Sequence, residues 1–94
     1  MATYFMFGTY GRDSIRGISA ARTKKAEALL KRLGGKLAAG YGLLGEKDIV
    51  LIVELPGVEE LTKASIGLSR LTGISFASVP AIPIERFDSL VAEV

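Results

Sequence analysis

The chain has no cysteine and no histidine among its 94 residues. Without cysteine there is no disulfide framework, a composition that suits a reducing compartment. The missing histidine excludes more. It removes the usual general base near neutral pH and the commonest metal ligand, and with them Ser-His-Asp hydrolysis, His-ligated haem and ordinary zinc sites. No metal and no cofactor are therefore expected, and any catalysis must rest on Asp, Glu, Lys, Arg, Tyr or backbone dipoles. No apolar run approaches the roughly 20 residues that cross a bilayer, so no membrane partner is expected. Met1–Gly8 shows no basic lead and no long apolar segment, so no signal peptide is read and a cytoplasmic location is expected. Neither G-x-x-x-x-G-K-[ST] nor G-x-G-x-x-G occurs. The net charge of +2 is too small an excess to point to nucleic acid, although the isoelectric point is about 9.1.

What the chain does have is apolar bulk. Hydrophobic residues make up 49% and mean hydropathy is +0.36, high for a single domain (residues 1–94) whose surface is a large part of the molecule. Self-association is the simplest way to bury the excess. The strongest strand signal is Ile49–Val53, an unbroken, mostly β-branched run with a turn before it and Pro56 after it. A strand with one wet face alternates apolar and polar residues. This run does not alternate until Glu54, so both of its faces are expected to be covered.

Thr3–Tyr10 reads as a first strand, with Tyr4, Met6 and Gly8 on one face and Phe5, Phe7 and Thr9 on the other. Gly11–Leu33 is helical, with Ile15, Ile18, Ala26, Leu29 and Leu33 as its apolar stripe. Arg22 falls in that stripe if the helix is continuous. Either the helix breaks near Gly17–Ser19, with Ser19 capping a second helix from Ala20, or Arg22 points inward to an anion. Gly34-Gly35 ends the helix. Lys36–Leu44 reads as a second strand, with Leu37, Ala39, Tyr41 and Leu43 sharing a face and Ala38, Gly40 and Gly42 on the other. Gly45–Lys47 turns the chain into Asp48–Leu55. A second long helix spans Val58–Leu71, burying Leu61, Ala64, Leu68 and Leu71 and leaving Ile66 exposed. Ile74–Ile82 is a fourth strand, with Pro80 marking an edge. A short helix after Pro83 is expected to turn Ile84, Phe87, Leu90 and Val91 inward.

The order β-α-β-β-α-β predicts an α+β, ferredoxin-like domain with a four-stranded antiparallel sheet. Right-handed crossovers place the first and third strands in the centre and both helices on one face. Two copies packed by their open faces would make a dimeric α/β barrel. The same strand order serves RNA recognition, which stacks bases on aromatics of the first and third strands. The third strand here has no aromatic, so no nucleic acid is expected.

Several segments together resemble the GYD domain family, small proteins mostly of unknown function grouped with the dimeric α/β barrels. They are L-G-G-K-L at Leu33–Leu37, Tyr41, G-E-K-D-I-V at Gly45–Val50, E-L-P at Glu54–Pro56 and P-A-I-P-I-E at Pro80–Glu85. Arg22 also resembles an arginine that the family tends to carry ahead of its first long helix. The chain departs at the family's own signature, where Lys47 replaces the tyrosine before the aspartate. The resemblance implies the fold and a homodimer, and assigns no chemistry.

Five residues are candidates for contact with a ligand: Tyr4, Arg22, Tyr41, Asp48 and Glu54. Asp48 could act as a base or bind a polar group, or could accept backbone N–H bonds at the turn. Glu54 shares a face with Val50 and Ile52, where burial would suit an acid or base, yet its place at a strand end offers water. Tyr4 and Tyr41 could hydrogen-bond a ligand or simply fill the core. Arg22 could bind a carboxylate or phosphate, or a helix end. The leading expectation is a homodimer that binds a small apolar molecule between its sheets. A cofactor-independent oxygenase- or isomerase-like enzyme using Asp48, Glu54 and Tyr41 is a rival, as is an effector-binding module in a larger oligomer with Ile66 and the C-terminal segment as contacts.

Overall fold

The computed structural model describes residues Met1–Val94 as β1 (Ala2–Tyr10), α1 (Arg12–Arg16), α2 (Ala20–Arg32), β2 (Lys36–Gly42), β3 (Ile49–Leu55), α3 (Val58–Thr72), β4 (Ile74–Ala81) and α4 (Ile84–Ala92). The strands form one antiparallel sheet in the order β2-β3-β1-β4. The two strands richest in apolar residues on both sides are therefore central, as their composition requires. Pro80 lies on the edge strand β4, where a missing N–H costs no second ladder.

The register sets the faces. Tyr4 pairs with Val53 and Met6 with Leu51, so these side chains point to one side. Ala26 and Leu30 of α2 and Ala64 and Leu68 of α3 pack onto that side with Tyr4, Met6, Val53 and Leu55. Met6, Leu30, Val53, Leu55 and Leu68 are fully buried, each contributing about 1.5–3 kcal/mol. Neither α2 nor α3 lies on the opposite side, where Phe5 faces Ile52 and Phe7 faces Val50.

The helical stretch before β2 does break. Gly17 closes the five-residue α1, and the Ser19 side chain accepts the Arg22 N–H at 3.1 Å to start α2. The break takes Ile15 and Ile18 out of the expected stripe, and both are 56% exposed; in α2 Ala26 is buried and Leu29 and Leu33 are partly buried as expected, while the fully buried residue is Leu30. At the far end Gly34 takes φ 84°, while Gly35 N–H donates to the Leu30 carbonyl and Gly34 N–H to Lys31. This is a Schellman closure, which needs a residue at ease in the left-handed region.

Three further expectations are corrected. A register shift between Leu37 and Ala39 inserts a bulge into β2. Leu37 therefore faces the helices beside Val53, while Ala39 and Tyr41 face the open side beside Ile52 and Val50; one extra residue reverses the alternation. Leu71, placed in the buried stripe of α3, is 36% exposed. The last helix forms as α4 but buries none of its residues: Ile84, Phe87 and Val91 are 75%, 57% and 57% exposed. The molecule is drawn out, with a radius of gyration of 14.1 Å against about 12 Å for a compact chain of this length.

Candidate functional site

A cavity of about 200 Å³ opens between the helices and the sheet, next to the short link between α1 and α2. Leu51 and Phe76 form part of its sheet side, and Ala26 and Leu68 contribute from α2 and α3. A Cβ on Gly8 would lie 2.6 Å from Ile49 Cγ2 and 2.8 Å from Ile74 Cγ2, so these two cavity-lining isoleucines close over a bare backbone. Gly42 also lines the cavity, and a Cβ there would meet nothing within 4 Å.

Arg22 is the one charged residue in this lining. It lies one and two helical turns before Ala26 and Leu30, on the same side of α2. The helix break and an inward Arg22 occur together, since α2 starts at Ala20 and Arg22 lines the cavity. Arg22 Nη1 donates to the Ser14 carbonyl at 2.7 Å and to the Thr72 carbonyl at 3.5 Å. A cation near the last carbonyls of α3 is favourably placed against the helix dipole. No carboxylate lies within ion-pair distance, since the two ion pairs of the chain are Lys36–Glu54 and Arg86–Glu93. Gly17 makes room for this arrangement: a Cβ there would lie 2.8 Å from Arg22 Nη1.

The five candidate residues do not converge. Tyr4 is buried on the helix side, within the core. Tyr41 stands on the open side, 59% exposed. Glu54 is at the far end of that side and pairs with Lys36 at 3.4 Å. Asp48 precedes β3 at the other end, where its Oδ2 accepts the Tyr10 N–H at 2.8 Å and its own N–H donates to Gly8. At about 3.3 Å per residue, Asp48 and Glu54 sit about 20 Å apart. They cannot act as an acid–base pair on one bound molecule within a protomer. Tyr10, Ile18 and Thr72 line the cavity and were not among the candidates. Ile18 carried a signal, being an apolar residue in a link next to a capping serine. Thr72 carried none, because its part is played by a backbone carbonyl.

The GYD domain family matches residues 4–91, and the chain belongs to that family. No curated protein matches it. Among solved structures it is similar to the leucine response regulatory protein LrpA of Mycobacterium tuberculosis, at 15% identity and TM-score 0.58, over 87% of this chain and 51% of that one. It is similar also to a glycine-to-threonine mutant of Rv3291c, at 14% identity and TM-score 0.59, over 88% of this chain and 51% of that one. The chain spans about half the length of the structures it matches. What they share with it is the fold, a ferredoxin-like α+β domain with a four-stranded antiparallel sheet.

Proposed function

We propose that the protein is a cytoplasmic homodimer whose two open sheet faces pack together and enclose a small, largely apolar molecule, in a binding role without chemistry of its own. One observation carries this reading: the side of the sheet left by α2 and α3 is apolar from edge to edge, with Tyr41, Val50, Ile52, Phe5, Phe7 and Val79 in register across four strands. Several hundred square ångströms of such surface are worth on the order of 10 kcal/mol before association costs. The exposed apolar stripe of α4 offers a second surface for a partner copy. One structural neighbour is named for its response to leucine, an amino acid with an apolar side chain, and that name supports by analogy a small ligand with an apolar body. The enzyme reading has less support, because its two carboxylates stand at opposite ends of β3.

Native mass spectrometry of protein purified from its own host tests the proposal. The expected result is two chains with a small molecule retained. Single chains at micromolar concentration with nothing bound would overturn it.

A further inference from the structure

We infer that the cavity between the helices and the sheet is a second binding site, separate from the inter-sheet space, and that it takes a small apolar monocarboxylate with its carboxylate on Arg22 and its hydrocarbon body between α2, α3 and the sheet. The volume sets the size of the body. A dry cavity of about 150 Å³ holds benzene, so about 200 Å³ suits a branched or cyclic body of about four to eight carbons. The walls set its character, since Ile49, Leu51, Leu68, Ile74 and Phe76 offer nothing polar from their side chains.

Arg22 sets the charge of the head group. Its side chain is half-buried, it has no carboxylate partner, and only Nη1 is spent on protein carbonyls. A guanidinium has five N–H donors in a planar fork, so Nε and Nη2 remain for an anion. A carboxylate matches that fork and makes charge-assisted bonds, stronger still where water is partly excluded. An ammonium on the ligand would find no acid in the lining and would sit beside a fixed cation. The site should therefore prefer a simple carboxylic acid to the amino acid of the same skeleton. None of this requires the dimer.

The test is titration of the full-length protein with isovalerate, followed by amide chemical shifts, with isovaleramide and leucine as comparison probes. Saturable shifts are expected around Tyr10, Ile18, Arg22 and Thr72, with isovaleramide and leucine each weaker by about tenfold or more. Arg22→Gln should weaken isovalerate by a similar factor and isovaleramide by much less, because the amide loses a neutral hydrogen bond and no charge pairing. Should that variant fold poorly, Gly42→Leu serves instead, because it keeps Arg22 and grows a side chain into open space at the cavity; it should abolish binding while the sheet resonances persist. No saturable binding of isovalerate, equal binding of acid and amide, or unchanged binding in Gly42→Leu would each overturn the site. Since these shifts report on the helix side, a failure here is distinguishable from failure of the dimer, which is read by mass.

Discussion

Arg22 and Thr72, 50 residues apart in the chain, meet at 3.5 Å where the guanidinium donates to the last carbonyl of α3. The same nitrogen holds the Ser14 carbonyl of α1 at 2.7 Å. One side chain thus ties three helices at the mouth of the cavity. Arg22→Ala should cost about 1–2 kcal/mol, seen as a melting temperature lower by roughly 5–10 °C. Arg22→Lys should recover less than half of that, because the lysine Nζ ends one bond short of Nη1 and is the more strongly hydrated cation. A lysine variant as stable as the parent would mean that the reach of Nη1 to the two carbonyls is immaterial.

Gly35 and Gly42 make a paired test of close approach. A Cβ on Gly35 would stand 2.0 Å from the Glu54 carbonyl oxygen, a backbone atom that cannot step aside, whereas Gly42 has open space. Gly35→Ala should destabilise by about 1–3 kcal/mol or more, and Gly42→Ala should change stability by no more than about 0.5 kcal/mol. Urea denaturation of both compares them directly, and equal midpoints would contradict the packing of β2 against β3.

Ile52 lies in the middle of the open side, opposite Phe5 on β1 and Ala39 on β2. A carboxylate there would be desolvated by a facing sheet, and burying it unpaired costs several kcal/mol. Ile52→Asp should give single chains by sedimentation, or fail to fold if the protomer is not stable alone. A stable dimer equal to the parent would show that this side is not the interface.

Phe87 on α4 is 57% exposed, and no residue of α4 is buried within the chain. Phe87→Ser should therefore leave a single protomer's packing intact and weaken self-association by about tenfold, the worth of an aromatic contact of roughly 1.4 kcal/mol. Dimer dissociation measured by dilution checks this. An unchanged constant would remove α4 from the interface.

Leu30 is fully buried between α2 and the sheet although the unbroken helical pattern assigned the stripe to its neighbours. Leu30→Ala should cost about 2–5 kcal/mol, more than Leu29→Ala, whose side chain is only partly buried. Chemical denaturation of the two variants would reveal an inverted order if the helical phase were wrong.

The sequence by itself determined the elements and their order, the glycine closure of α2, the central places of β1 and β3 and the side of the sheet that stays open, and it offered the helix break at Gly17–Ser19 as one of two readings. All of these follow from periods of two and 3.6 residues and from the backbone freedom of glycine and proline, which act over a few neighbours. Tertiary structure alone decided the cavity, the bulge that sends Tyr41 and Leu37 to opposite sides, the meeting of Arg22 with Thr72, and the exposure of α4. A carbonyl 50 residues away leaves no trace in local periodicity, one inserted residue reverses a strand's faces, and an amphipathic helix records that it has an apolar side without recording what lies against it.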